Sequence, residues 1–184
     1  MLSKVEKTDP RVKRTRQLIF DAFMALFQEK SFQSITVHDI TERAGINRAT
    51  FYAHFLDKYE LNETIIGDWF QKQLEPVIDH QAALSEANLK ALIALVCEFM
   101  SNSKNACHPA DEQYKPLLER QIQAQIYELI LSWLGDRFKL EATAISWVIF
   151  GLGLRWSKGE LAYTQDELTR EAIHFIEKSL GQTV

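Results

Sequence analysis

The chain has 184 residues, of which 46% are hydrophobic and 25% are charged, and it contains only 7 glycines and 4 prolines. This length allows one large or two small domains with a packed core, and the composition excludes a disordered chain. The formal net charge of −4 argues superficially against nucleic-acid binding. However, residues 1–60 carry 10 basic and 8 acidic side chains, whereas residues 61–184 carry 11 and 17. This asymmetry fits a DNA-contacting end joined to a part that avoids DNA.

Cysteine usage and hydropathy indicate the compartment. Two cysteines, Cys97 and Cys107, do not make a disulfide framework. Residues 1–16 are polar and charged, so we expect no signal peptide. The longest apolar run, residues 142–154, is shorter than the about 20 residues of a membrane span. We therefore expect a cytoplasmic protein with no membrane association.

The first predicted elements are a mobile arm over residues 1–8 and a helix from Pro10 to about Glu29. Asp9 and Pro10 suit an N-cap and a first helical position. Apolar residues recur along the helix with the spacing that buries one face. These residues are Ile19, Ala22, Phe23 and Leu26, and they should form a three-helix core with Val37, Ile40, Ile46, Phe51 and Phe55.

Two short helices separated by a tight turn are predicted next, and a third, longer helix follows them. Thr36 and Asp39 have the spacing of a capping box, which opens the first short helix. Gly45 tolerates the positive φ that a helix-turn-helix turn requires. Asn47 can cap the second short helix, which should run over residues 48–55.

A helical wheel gives the second short helix an inward and an outward side. Phe51 and Phe55 point towards a core, and Ala49 and Ala53 centre the opposite side. Thr50, Tyr52 and His54 lie beside or flank that outward side. Small residues allow a close approach, and long polar residues can hold both walls of a DNA major groove about 12 Å wide. An ordinary surface helix with polar flanks is the alternative for this helix taken alone.

The neighbouring residues favour the DNA-binding alternative. Asp57 and Glu60 repeat the capping pattern at the third helix and leave Lys58 in its first turn. A lysine there is poorly placed for the helix dipole and makes more sense as a phosphate contact.

Three groups of residues in this segment together have the spacing of one known domain, with no insertion or deletion. They are Phe32 with Ile35–Val37 and Ile40, then Ala44–Ile46, then Arg48–Phe55 (RATFYAHF) with Asp57–Leu61 (DKYEL). In this order, residues 11–61 resemble the DNA-binding domain of the TetR family of bacterial transcriptional regulators. The resemblance covers roughly the first third of the chain, and the remainder resembles the family only in length and in being helical.

The resemblance implies roles for individual residues. Arg48 and Ala49 should face bases, and Thr50 and Tyr52 should meet the groove wall or thymine methyl groups. The other candidate DNA-binding residues are Asn47 at the helix cap and Thr36, His54 and Lys58 at phosphates. Asn47 stands where serine or threonine is frequent in the family, and Leu56 stands where lysine or another polar residue is usual. The basic cluster between Lys4 and Arg16 is either a phosphate or minor-groove contact, as the family implies, or a solvated surface.

The rest of the chain is predicted to be helical throughout. A fourth helix should run from Lys58 towards His80, kinked or ended by Pro76, and link two domains over about 30 Å. A loop is predicted over residues 102–110, and helices on both sides of it. We therefore expect an all-α fold of about nine helices. Its domains would be a DNA-binding domain over residues 1–60 and an effector-binding and dimerisation domain over residues 61–184.

Many members of the family bind a small molecule in the second domain, so the resemblance implies an effector pocket. The candidate lining residues are Trp69, Phe70, Phe99, Met100, Tyr114 and Tyr127. Aromatic residues and methionine at helical spacing are more often plain core, and that interpretation stays open. A protein partner in place of a small-molecule effector also stays open.

The last two predicted helices carry the strongest apolar pattern. Residues 141–158 are apolar almost all round, which indicates a fully buried helix with one side against another subunit. Thr164 and Glu167 form a capping box that opens the last helix. The resemblance implies a four-helix bundle between two subunits, with Ile145, Ile149, Leu152, Trp156, Phe175 and Ile176 as candidate dimer contacts. A monomeric core is the alternative.

Catalytic and metal-binding signatures are missing from the sequence. Residues 151–153 lack the third glycine and the preceding strand of a dinucleotide loop. Cys97, Cys107 and His108 fit no usual zinc spacing. We therefore expect no enzyme, cofactor or metal site. The sequence predicts a homodimeric DNA-binding regulator, a repressor released from a pseudo-palindromic operator by a small-molecule effector. The alternative is a TetR-like protein that acts mainly through a protein partner.

Overall fold

The computed structural model describes residues 9–78, 84–106 and 114–181, and within them it contains eight α-helices and no strand. The helices are α1 (Pro10–Glu29), α2 (Val37–Ala44), α3 (Arg48–Tyr52), α4 (Lys58–Leu74), α5 (Glu86–Ala106), α6 (Lys115–Leu134), α7 (Lys139–Ser157) and α8 (Gln165–Leu180). Single 3-10 turns occupy Phe32–Ser34 and Asp136–Phe138. The predicted all-α class is confirmed. The predicted arm at residues 1–8, Cys107 and His108 lie outside the described residues.

The described residues divide into two compact units. The first holds residues 9–65 together with Tyr114, and the second holds residues 66–78, 84–106 and 115–181. Helix α4 begins in the first unit and ends in the second, because the division falls after Ile65.

The first unit is built around buried aromatic side chains. Phe23, Phe32 and Phe51 are completely enclosed, and Ile19 and Ile40 fill the space between the helices. Phe23 and Phe32 meet edge to face with ring centroids 6.2 Å apart, a favourable geometry for an aromatic pair. Burying this apolar surface holds the two short helices against α1.

Two boundaries differ from the sequence-based predictions. Helix α3 stops at Tyr52 rather than near Phe55, because the backbone tightens and the N–H of His54 donates to the carbonyl oxygen of Phe51 at 2.9 Å. Helix α5 continues to Ala106, through part of the predicted loop. Serine and asparagine lower helix propensity by only a few tenths of a kcal/mol each, which is too little to end a helix anchored by a long buried face.

In the second unit, α7 packs closely on α5. A β-carbon added to Gly153 would lie 2.8 Å from Cγ1 of Val96, which is nearer than two carbon atoms can approach. Val96 is completely buried, so its side chain has little room to move away. The glycine at this position therefore permits the close crossing of the two helices.

Candidate nucleic-acid interface

The predicted capping box opens α2. The N–H of Asp39 donates to Oγ1 of Thr36 at 3.1 Å, and the N–H of Thr36 donates to Oδ2 of Asp39 at 2.7 Å. Lys30, just after α1, adds an ion pair to the same carboxylate at 2.8 Å. The hydrogen bonds from Lys30 and Thr36 hold the pKa of Asp39 well below its usual range. Helix α2 therefore starts at a fixed point relative to the end of α1.

A second clamp between α1 and α2 was not foreseen from the sequence. Both terminal nitrogens of Arg43 donate to the two carboxylate oxygens of Glu29, at 2.8 and 2.7 Å. The hydrogen bond from Arg43 is the largest cause of the lowered pKa of Glu29. The two residues lie 14 positions apart, so no local spacing rule connects them.

The turn into α3 has the predicted geometry. Gly45 adopts a left-handed conformation with φ of 65°, and the N–H of Thr50 donates to Oδ1 of Asn47 at 2.7 Å. The hydroxyl of Thr50 donates to the same oxygen at 3.0 Å. Likewise, the hydroxyl of Thr36 donates to Oδ2 of Asp39 at 2.7 Å. Both hydroxyl hydrogens are therefore engaged inside the protein.

The two sides of α3 are arranged as the helical wheel predicts. Phe51 is enclosed in the core of the first unit, and Phe55 is buried just beyond the end of the helix. Arg48, Ala49 and Tyr52 are exposed on the other side. Two further candidate residues, Thr50 and His54, are half-buried. Within the described residues, Arg48 makes no hydrogen bond or ion pair, so its guanidinium is available to a ligand.

Arg16 on α1 supports α3 from behind, a role that the sequence did not reveal. Its guanidinium carbon lies 4.5 Å from the ring centroid of Phe55 and 5.7 Å from that of Phe20. Cation–π contacts of this kind contribute about 0.5–2 kcal/mol. Arg16 therefore helps to fix the end of the turn that follows α3.

Helix α4 starts with a modified form of the predicted capping box. Asp57 accepts a hydrogen bond from the N–H of Glu60 at 2.9 Å, as expected. The carboxylate of Glu60, however, accepts from the N–H of Leu56 rather than from the N–H of Asp57. The side chain of Leu56 is exposed next to this turn.

Lys58 does not have the geometry of a phosphate contact. Its ammonium donates to the carbonyl oxygens of Phe32, Gln33 and Ile35 at 2.9, 3.0 and 2.9 Å. An ammonium has three N–H donors, and these bonds use all of them. The same nitrogen lies 4.7 Å from the ring centroid of Phe32. The assignment of Lys58 to DNA is therefore revised: the residue fastens the start of α4 to the preceding 3-10 turn.

Comparisons with known proteins agree on one family. Residues 19–65 match the family model described as bacterial regulatory proteins, tetR family. The chain is also 30% identical, over 95% of its length, to the regulator named "Uncharacterized HTH-type transcriptional regulator YxbF" of Bacillus subtilis strain 168. This chain carries the TetR-family segment over residues 19–65. It spans about half the length of that curated relative, 47%.

Two solved structures of regulators share the fold. A TetR transcriptional regulator from Streptococcus agalactiae superposes with a TM-score of 0.53 at 18% identity, over 91% of this chain and 96% of that one. The flavonoid-responsive regulator FrrA superposes with a TM-score of 0.52 at 22% identity, over 91% and 97%. At these identities the likeness shows the fold alone.

The residues predicted to line a TetR-type effector pocket are divided between the two units. Trp69 and Phe99 pack with ring centroids 4.9 Å apart, and Phe70 and Met100 are buried core residues. Tyr127 is half-buried on α6, and Tyr114 belongs to the first unit. Tyr114 is the clearest departure, because its ring and hydroxyl are packed within the first unit.

Two open grooves in the second unit are lined by other residues. One, of about 610 Å³, is bordered by Val77, Ala94, Leu95, Glu98 and Trp156. The other, of about 670 Å³, lies between α5 and α8 and is bordered by charged residues that include Lys90, Asp166 and Arg170. The first groove is the more apolar of the two, and Trp156 is the one of these five bordering residues that was singled out from the sequence.

The predicted dimer contacts fall into two groups. Ile145, Ile149 and Ile176 are buried inside the second unit, so they cannot meet a partner without unfolding their own chain. Leu152 and Trp156 are half-buried, and Phe175 is 56% exposed. The exposed apolar side chains of α7 are instead Leu140, at 79%, and Trp147, at 57%. One side of α7 is thus exposed in the single chain, and its contact with a second subunit stays a prediction.

Three further properties of the described residues concern membrane insertion, metal binding and thiol reactivity. No described helix is long and apolar enough to cross a membrane. No group of three or more histidine, cysteine or acidic residues within the described part could hold a metal ion. Cys97 is completely buried, and burial raises the pKa of its thiol to about 11. A thiol in that environment stays protonated and unreactive near neutral pH.

Proposed function

We propose that this protein is a sequence-specific DNA-binding transcriptional regulator, with residues 1–60 reading DNA and residues 61–184 carrying dimerisation and effector binding. The supporting observation is the two-sided arrangement of α3. Phe51 and Phe55 fix the helix from below, while Arg48, Ala49 and Tyr52 are exposed on its outer side. A rigid helix with a small residue at its centre suits the major groove. Such a regulator acts on chromosomal DNA in the bacterial cytoplasm.

Within that role, base recognition is assigned to Arg48 and Ala49. Arginine forms paired hydrogen bonds to guanine, and alanine gives apolar contact to a thymine methyl group. Tyr52 is assigned to the groove wall and His54 to a phosphate. Lys58 is left out of the DNA contacts for the geometric reason given above.

The residues Thr36, Asn47 and Thr50 have a positioning role in this proposal. The hydroxyl hydrogens of Thr36 and Thr50 are used in capping contacts, and Oδ1 of Asn47 accepts two hydrogen bonds. The side-chain amide nitrogen of Asn47 is a hydrogen-bond donor that can still contact a phosphate.

The regulator is proposed to work as a homodimer. One copy of α3 presents too little surface for specific binding, and two copies spaced by about 34 Å, or a multiple of it, read a pseudo-palindrome. The exposed apolar residues Leu140 and Trp147 on α7 and Phe175 on α8 supply a surface that a second copy would cover. These residues replace the buried isoleucines of the sequence-based prediction.

Release from DNA by a small-molecule effector completes the proposal and makes the protein a repressor. The groove beside Val77 and Trp156 has a volume, about 610 Å³, within the range of small-molecule sites. An effector that binds one arrangement of the second unit more tightly than the other would oppose DNA binding by population shift.

Selection of bound sequences from a random DNA pool at physiological salt tests the proposal. The expected result is an enriched pseudo-palindrome, which also supplies the probe for effector screening. If folded, dimeric protein enriches no sequence, the proposed function is wrong, and a role through a protein partner would have to be considered in its place.

A further inference from the structure

Tyr114 lies at the last position before α6 and is buried in the first unit, with only 4% of its surface exposed. Its hydroxyl donates a hydrogen bond to Oδ1 of Asn62 at 2.7 Å. Asn62 lies on α4 and is itself only 2% exposed. A hydrogen bond between two buried side chains is costly to break, because each group would lose its partner without gaining water.

The ring of Tyr114 enters the aromatic core of the same unit. Its centroid lies 4.8 Å from that of Phe32 and 5.2 Å from that of Phe27. Phe32 is also the residue whose carbonyl oxygen accepts a hydrogen bond from Lys58 at the start of α4. Tyr114 therefore touches the aromatic residue on which the start of α4 depends.

We infer that Tyr114 is a positioning residue through which the start of α6 is tied to the DNA-reading unit. The residue after it, Lys115, opens α6 in the second unit. If the start of α6 moves, either Tyr114 moves with it or the hydrogen bond between Tyr114 and Asn62 breaks. This link is separate from the continuous helix α4. Its role in regulation rests on the proposed function.

The first test uses hydrogen exchange on the full chain without DNA. Tyr114→Phe removes the hydroxyl and keeps the ring, and Tyr163→Phe makes the same change at an exposed tyrosine of the second unit. Loss of one such hydrogen bond should accelerate exchange by about three- to tenfold in residues 58–65 and 115–122 for Tyr114→Phe alone. Unchanged exchange over residues 115–122 would overturn the inference.

A paired variant separates a specific contact from general loosening. If Tyr114 and Asn62 act as a pair, Asn62→Ala and Tyr114→Phe together should accelerate exchange by less than their separate effects combined. Additive effects of the two substitutions would contradict a direct link. This comparison does not depend on DNA binding.

The second test asks whether DNA binding to the first unit affects the start of α6. Because coupling between sites is reciprocal, DNA bound to the first unit should slow exchange at the start of α6 in the wild type. The DNA is the duplex enriched from the random pool. Tyr114→Phe should lose the slowing over residues 115–122 and keep it over residues 47–56. Equal slowing in both proteins would overturn the inference, whereas no slowing anywhere in the wild type would refute the proposed function instead.

Discussion

The ammonium of Lys58 lies 2.9 Å from the carbonyl oxygen of Phe32 and 4.7 Å from the centroid of the same residue's ring. The Lys58 ammonium thus binds backbone carbonyl oxygens in and after the 3-10 turn, and it also lies over an aromatic ring of the core. The first turn of α4, which follows α3 in the chain, is held by these contacts. The positive charge has a structural purpose here, although its place in the sequence suggests a role at DNA.

Replacing Lys58 should therefore affect stability more than the electrostatics of DNA binding. Lys58→Met keeps the length of the side chain and removes donors to three carbonyl groups, so we expect the free energy of unfolding to fall by about 1.5–3 kcal/mol. Lys72→Met removes the same charge from an exposed site on α4 and should change stability by less than about 0.5 kcal/mol. Urea unfolding measures both. If Lys58→Met lowers the slope of log DNA affinity against log salt concentration by the amount expected for one phosphate contact, about 1, the structural role is wrong.

Arg48 is the residue whose loss should relax sequence recognition. Arg48→Ala should weaken binding to the preferred sequence by about 1–3 kcal/mol and reduce discrimination at one base pair in each half-site. Because Arg48 is exposed and makes no bond within the described residues, stability should not change. Titration against duplexes with single base changes measures the effect. Equal losses on all sequences would instead indicate a phosphate contact.

Local signals explain which parts of this architecture could be predicted. The caps at Thr36, Asn47 and Thr164 join atoms three residues apart, so spacing alone reveals them. The contacts of Lys58 join residues 23 to 26 positions apart, and a one-dimensional pattern contains no trace of them.

Helix α7 shows the opposite difficulty. It is apolar on every side, so periodicity cannot distinguish the face that packs on its own chain from the face left outside. Ile145 and Ile149 are consequently buried in their own chain where a partner contact was expected, and the exposed side carries Trp147 instead.

The capping box of α2 should make stability depend on pH. Since the pKa of Asp39 is lowered in the folded protein, its ionised carboxylate stabilises the fold above the unfolded pKa of roughly 3.9. That contribution is lost as the pH falls below this value. Asp39→Asn should therefore cost about 0.5–1 kcal/mol near pH 6, with a difference from the wild type that shrinks below pH 4. Unfolding measured between pH 2.5 and 6 tests this, with Asp68→Asn as an exposed control on α4.

The two glycines of α7 form a matched pair for testing its packing. Gly153→Ala places a β-carbon against Val96 and should destabilise the fold by about 1–3 kcal/mol, as overpacking does. Gly151→Ala meets no other atom within 4 Å and should stabilise the helix by up to about 1 kcal/mol. All four tryptophans lie in the second unit, so their fluorescence during urea unfolding reports on it. Similar effects of the two substitutions would mean that the crossing of α5 and α7 is wrongly placed.

The exposed face of α7 and α8 gives the most direct test of self-association. Trp147→Glu places a charge where we expect apolar contact between two copies, and burying it unpaired would cost several kcal/mol. The side chain is 57% exposed in the single chain, so the fold should survive and the protein should become monomeric in sedimentation. Val77→Glu, at an equally exposed apolar position outside α7 and α8, should leave the oligomeric state unchanged. Because one copy of α3 presents too little surface for specific binding, the monomer should also lose its specific binding to the preferred DNA sequence. A dimer that persists in Trp147→Glu would exclude this face as the interface, while a wild-type monomer would remove the dimer from the proposal altogether.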